Sequence, residues 1–177
     1  MRQVHDFKKS VKYGDDGEYD VIDAWPDLFT IYPGEEYDLD VFNGKTFELK
    51  NESSYTLQPG FPKPHIPTST INFFIEVIGN KRRGNPGGPF RAYNDNINFY
   101  AHLFAHPSDR VLFLFRDLET LCDRCNMLIA LLPKWNRDNP IPIYNTRHIT
   151  LGYALPIKEF EDLFVKIKLG EDIEKYL

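Results

Sequence analysis

The sequence predicts an α/β fold with a mixed central β-sheet flanked by helices. Three observations predict it. Tyr37-Asp38-Leu39-Asp40-Val41-Phe42 and Lys45-Thr46-Phe47-Glu48-Leu49-Lys50 alternate apolar and polar residues on either side of Asn43-Gly44, a tight-turn pair, and so form a hairpin. Ile71–Ile78 is an apolar run of strand length. Asp117–Leu132 places Leu118, Leu121, Cys122, Cys125, Leu128, Ile129 and Leu132 on one side of a long helix.

The other elements follow in order. Val4, Phe7 and Val11 have helical spacing over residues 2–12, which Gly14-Asp15-Asp16-Gly17 interrupts. Glu18–Trp25 resumes that spacing until Pro26 ends it. Leu28, Phe29, Ile31 and Tyr32 form a short strand before the Pro33-Gly34 turn. Residues 51–68 are rich in Pro and polar residues and form a loop, as does the Gly, Pro and basic stretch Gly79–Pro89. Asn98–Phe104 is a strand or a helical turn, and Val111–Phe115 is a strand. After a Pro-rich loop come a strand at Ile149–Leu155 and a helix from Ile157 to Ile167, striped by Phe160, Leu163, Phe164 and Ile167. No repeat or linker divides the chain, so residues 1–177 are expected to form one domain.

Composition bounds the function. With 177 residues and 42% hydrophobic content, the chain is expected to bury a core. No apolar run approaches the ~18 residues of a membrane span, and Met1–Asp6 lacks a secretory apolar core. Two cysteines then suit a reduced, cytoplasmic setting. The net charge of −5 excludes a protein that coats DNA with a basic surface. The charge is uneven: residues 15–40 are acidic, while Lys81, Arg82, Arg83 and Arg91 are basic. Acidic clusters hold metal ions, and metal ions hold polyanions.

The hairpin carries the chemistry. Side chains two apart on a strand share a face, so Glu48 and Lys50 point together, as do Asp38 and Asp40. Carboxylates beside an ammonium on an apolar sheet suit metal-assisted phosphodiester hydrolysis. By the same spacing the alternation also suits a plain solvated face with exposed Lys–Glu pairs. Cys122-Asp123-Arg124-Cys125 lacks a second ligand pair for zinc and lies mid-helix, which fits buried cysteines. His102, His106 and His148 are too scattered to assign.

These residues resemble the PD-(D/E)xK nuclease superfamily, which includes restriction enzymes, Holliday-junction resolvases and phage exonucleases. The resemblance rests on Tyr37-Asp38-Leu39, the turn, and Phe47-Glu48-Leu49-Lys50. Gly17-Glu18 opens a helix where several branches carry a metal-site glutamate. Thr70-Ile71-Asn72-Phe73-Phe74-Ile75-Glu76-Val77 is similar to a Thr-Gly-Asn-x-Phe-Ile-Glu strand of a phage and bacterial branch, with Gly87-Gly88-Pro89 following. Tyr37 stands where that superfamily has proline, and Ile71 where the branch has glycine.

The resemblance implies a restriction-endonuclease-like fold and an Mg²⁺-dependent deoxyribonuclease, with Mn²⁺ as a substitute. Asp38, Glu48 and the Leu49 carbonyl would hold metal, Glu18 would be an accessory ligand, and Lys50 would be the catalytic lysine. Asp40 is the alternative to Asp38. Glu76 either reaches the site or pairs with an arginine such as Arg91. Lys81, Arg82, Arg83 and Arg91 are candidate nucleic-acid contacts, or otherwise a solvated loop, and Lys63 and His65 lie in a candidate DNA-reading loop. The partner would be DNA, with RNA open, and the setting a bacterial or phage-infected cytoplasm. A resolvase-like role would call for a homodimer. The alternative is a binding or phage–host interaction protein on the same fold, with weak or lost catalysis.

Overall fold

The computed structural model describes residues 17–34, 37–52, 72–105, 110–144 and 149–177. The expected helix over 2–12, most of the 51–68 loop with Lys63 and His65, and His106 and His148 lie outside the described residues. The chain is α/β, with a mixed central sheet.

A helix over residues 17–24 (α1) opens the described chain. Val21 and Trp25, four residues apart, are its buried side. Strands β1 (Phe29–Ile31), β2 (Leu39–Val41) and β3 (Thr46–Glu52) form an antiparallel meander. Gly44 takes φ +79° in the β2–β3 turn, a conformation that favours glycine. The meander continues through β6 (Phe99–Ala105), β7 (Arg110–Phe115) and β10 (Phe164–Lys168), in the order β1-β2-β3-β6-β7-β10. Only the β3–β6 pairing is parallel, which makes this sheet mixed.

Between β3 and β6 the chain leaves the sheet and builds β4 (Asn72–Asn80), β5 (Asn85–Pro86) and α2 (Gly88–Asn94). After β7 come α3 (Leu118–Leu131), α4 (Lys134–Asp138), β8 (Ile141–Tyr144) and β9 (Ile149–Pro156). Strands β5-β4-β9-β8 form a second, antiparallel sheet that the sequence did not announce. One face of the central sheet packs Phe47, Leu49, Ala101 and Leu114 under α1. Its other face meets β4, α2 and α3 around Phe73. The Phe73 ring stacks on His102 at 4.4 Å and meets Phe113 edge-on at 5.4 Å. Thus α1 covers one face, while the other is covered by helices and a sheet together.

Three expectations need correction. The helix over Ile157–Ile167 is a 3₁₀ turn (Ile157–Phe160) followed by β10. Val165 pairs with Leu114 and Ile167 with Leu112, so an unfilled edge beside β7 outweighs the helical stripe. The Gly79–Pro89 loop contains β5 and the start of α2. The Pro-rich loop after α3 contains α4 and β8. Asn98–Phe104 resolves as strand, and Asp117 caps α3 by accepting a 3.0 Å bond from Thr120 N–H.

The second sheet depends on close approach at Gly152. A Cβ there would lie 2.5 Å from the Ile75 carbonyl oxygen and 2.6 Å from the Phe74 ring. Gly152→Ala is therefore expected to destabilise the fold by about 1–3 kcal/mol, the usual cost of overpacking. Urea unfolding, followed by the loss of far-UV circular dichroism, measures it.

Candidate active site

The hairpin register decides which carboxylates meet. Leu39 pairs with Phe47 and Asp40 with Thr46. Asp38, just before the paired residues, also bonds to Phe47 and lies close enough to Glu48 to raise its pKa. Leu39, Val41, Phe47 and Leu49 are buried on the α1 side. Asp38, Glu48 and Lys50 consequently face the second layer. Asp40 shares that face but sits opposite Thr46 and accepts a 2.8 Å bond from the Tyr37 hydroxyl. The register thus favours Asp38 over Asp40 as the partner of Glu48.

Asp38 bridges the strand ends. Its backbone N–H donates to the Phe47 carbonyl at 3.2 Å, and its Oδ2 accepts from the Leu49 N–H at 2.7 Å. Both groups of a strand residue point to the same side, so the Leu49 carbonyl also turns toward Asp38, past the end of β2.

Two cations, Lys50 of β3 itself and Arg91 of α2, complete the cluster. Lys50 Nζ is ion-paired with Glu76 Oε1 of β4. Arg91 of α2 brings Nη1 to 3.9 Å from Glu48 Oε1, and its Nε lies 3.5 Å from Asp95. Glu76 thus meets the cluster through Lys50, near enough to add to the rise in Glu48's pKa, while Arg91 approaches Glu48. The Gly-rich stretch makes this possible. A Cβ on Gly87 would lie 2.7 Å from Gly79 N, and one on Gly88 would lie 3.1 Å from Glu76 O. Gly88 also has φ +49°. Glycine at both places lets α2 close on β4 beside Glu76, which carries Arg91 over the cluster.

Electrostatics single out Glu48. Its side chain is 16% exposed, and its Oε2 is buried with no hydrogen-bond partner among the described residues. Burial, then repulsion from Asp38, pushes its pKa up to about 8, despite Arg91 and Lys50. Burial also raises Asp38, against the Leu49 hydrogen bond and the same two cations. Neighbours in the parallel ladder frame the cluster: Tyr100 lies beside Glu48 and fully buried His102 beside Lys50. The sequence reading missed Tyr100 and left His102 unassigned; their alternation with Ala101 and Leu103 was the available signal.

The remaining candidates fall elsewhere. Glu18 is in the first turn of α1, which packs on the opposite face; a Cβ on Gly17 would meet the Asn51 side chain at 2.8 Å. Lys81, Arg82 and Arg83 occupy the exposed β4–β5 turn, where Asn80 Oδ1 accepts from the N–H groups of Arg82 and Arg83 at 3.0 and 3.3 Å. Lys81 lies five residue steps along the strand from Glu76, roughly 16 Å. Cys122 and Cys125 are buried in α3; burial pushes Cys122 up to about 11 and raises Cys125 further, which makes both unreactive.

Among the described residues, no three His, Cys, Asp or Glu side chains are arranged as a metal-binding group. A cation here would therefore use Asp38, Glu48 and the Leu49 carbonyl, with water or substrate oxygens completing its shell. The unpartnered Glu48 Oε2 fits that use. Comparison with protein-family models finds no match for the chain, and comparison with curated proteins finds none either.

Stability should report the strained carboxylate. In the folded protein Glu48 keeps its proton to about pH 8, whereas unfolded it releases it near 4.5. The folded state binds the extra proton between those values, so stability falls as pH rises through that window. Glu48→Gln, measured without divalent metal, is expected to raise the unfolding free energy at pH 8 by a few kcal/mol relative to pH 4.5, at about 1.4 kcal/mol per pKa unit. An unchanged pH profile would refute the burial of an uncompensated charge.

Proposed function

We propose that the chain is a restriction-endonuclease-like, metal-dependent nuclease that hydrolyses phosphodiester bonds in DNA. The observation that carries this reading is the buried Asp38–Glu48 pair with its unpartnered Oε2, beside Lys50. Mg²⁺ or Mn²⁺, held by Asp38, Glu48 and the Leu49 carbonyl, would neutralise phosphate charge and lower the pKa of a bound water. Glu48 would hold the ion in its ionised form, so binding would release its proton to solvent. Lys50, oriented by Glu76, donates hydrogen bonds to the attacking water and balances the charge growing on the phosphate oxygens. Arg91, 36% exposed and within reach of Glu48, can transfer its guanidinium to the substrate phosphate. Lys81, Arg82 and Arg83 grip the DNA backbone away from the scissile bond.

A second reading is a binding protein that has lost catalysis. It is favoured by one observation: Lys50 and Arg91 already offset part of the cluster's negative charge within the protein. Calorimetric titration with Mn²⁺ separates the two. A nuclease binds metal in wild type and not in Asp38→Asn, and it releases protons as it does so at pH 7, because Glu48 must ionise.

Cleavage of linear, circular, single-stranded and branched DNA with Mg²⁺ or Mn²⁺ tests the activity. Glu48→Ala and Lys50→Ala should each lower kcat by about 10²–10⁴, the scale of a lost acid–base or electrostatic group, while remaining folded. Asp40→Asn should keep most activity where Asp38→Asn loses it. Full activity in Lys50→Ala would sink the assignment.

A further inference from the structure

At the end of the central sheet where β6 begins and β7 ends lies an open groove of about 480 Å³ that the proposed chemistry does not use. Its volume falls in the ~300–1,000 Å³ range of small-ligand sites. Asn96 shapes it. Asn96 follows α2 at φ +56°, a left-handed conformation that asparagine tolerates, and Ile97 N–H reaches back to the Ala92 carbonyl at 2.9 Å. This stop brings Tyr93 of α2 and Asn98, just before β6, into the lining of one groove, together with Arg116 and Glu119.

These side chains are prepared for a ligand. Tyr93 is 44% exposed, and its ring meets no other ring among the described residues. Asn98 Oδ1 accepts from the Thr46 N–H at 2.9 Å and from the Thr46 hydroxyl at 3.2 Å. A backbone N–H can only donate, so these bonds fix which end of the carboxamide is oxygen and turn its donor, Nδ2, away from Thr46. Arg116 is exposed and makes no ion pair among the described residues. Asp117 is occupied in capping α3, since both its oxygens accept from Thr120, whereas Glu119 is exposed as an acceptor. An aromatic face, an oriented amide, a carboxylate and a guanidinium match the parts of one nucleotide: base plane, base edge and phosphate. The two carboxylates disfavour a run of phosphates, and with it a length of duplex backbone.

Position ties the groove to the cluster. Tyr100 pairs with Glu48 in the β3–β6 ladder, and Asn98 precedes Tyr100 by two residues, roughly 7 Å. That is about two stacked nucleotides at ~3.4 Å each. Arg116 directly follows Phe115, the partner of Tyr100 on β7. We propose that the groove binds an unpaired nucleotide close to the scissile phosphate, with its base stacked on Tyr93, its base edge bonded to Asn98 and Glu119, and its phosphate on Arg116. A base inside a duplex has both faces covered, so only a splayed base can stack on Tyr93. This binding mode presupposes the nuclease reading and narrows its substrate to DNA with a single-stranded segment beside the cleavage site.

Fluorescence anisotropy of the full chain in EDTA, which prevents metal-dependent cleavage, tests it. The labelled probes are a blunt DNA duplex, the same duplex with a single-stranded tail, and the tailed form with its tail bases removed. Wild type is expected to bind the tailed duplex tighter than either other probe by about tenfold or more, roughly 1.4 kcal/mol. Tyr93→Ala should abolish that preference with circular dichroism unchanged, and Tyr93→Phe should keep it. The losses from Tyr93→Ala and from the abasic tail should not add, because both remove the same stack. Arg116→Ala should weaken the tailed and abasic probes alike and lower the salt slope by about 0.7. A blunt duplex bound as tightly as the tailed one, a preference that survives Tyr93→Ala, or losses that add would overturn the subsite. The nuclease reading stands or falls separately: a wild type that prefers the tail but cleaves no DNA form with Mg²⁺ or Mn²⁺ would sink that reading and support the subsite.

Discussion

Asp38 and Glu48 stand side by side across a hairpin, on an apolar sheet that offers little water to screen them. Two carboxylates so placed cannot both ionise without cost, and the surroundings are organised around that fact. The hairpin register creates the pair. A slip of one residue would turn Asp38 into the core beneath α1 and push Leu39 out toward the cluster. The turn with Gly44 at φ +79° therefore sets the chemistry as much as the acids do. Leu49 N–H, Arg91 and Lys50 each reduce the burden on the carboxylates, and still Glu48 keeps a proton to about pH 8.

Arg91, and the Glu76 that pairs with Lys50, arrive by way of the one parallel pairing among the described strands. Parallel neighbours cannot be joined by a tight turn; the chain must leave the sheet and return. Here the excursion from β3 to β6 passes through β4 and α2, which deliver Glu76 and Arg91 over the strand they left. Gly87 and Gly88 let that excursion approach β4 at backbone distance. The result is three carboxyl groups facing two cations, a set that Glu48 balances by keeping its proton.

The parts legible in the sequence were those governed by neighbours along the chain. Alternation around Asn43-Gly44 located the hairpin, and helical spacing located α1 and α3. Glu48 and Lys50 could be paired because two residues on a strand share a face. The choice of Asp38 over Asp40 was not legible, because it rests on register across the turn. Neither was the Lys50–Glu76 pair, whose members are 26 residues apart. Phe160, Leu163, Phe164 and Ile167 misled for a related reason. Their spacing suits a helix in isolation, but Phe164 and Ile167 occupy opposite faces of a strand completing the sheet beside β7. The second sheet was hidden for another reason: β4 and β9 were each legible as strands, but their pairing with one another, and β8, were not.

The charged residues of the cluster differ in how much they say about function. An ion pair such as Lys50–Glu76 is met with in many folds, where it can serve packing alone. Asp40, bonded to Tyr37, needs no further explanation. Glu48 does. A side chain chosen for stability at that place would be apolar, or would bond both oxygens. Glu48 instead leaves one buried oxygen without a partner, next to another acid that raises its proton affinity. Natural sequences keep such an arrangement where it is used, because stability alone would remove it.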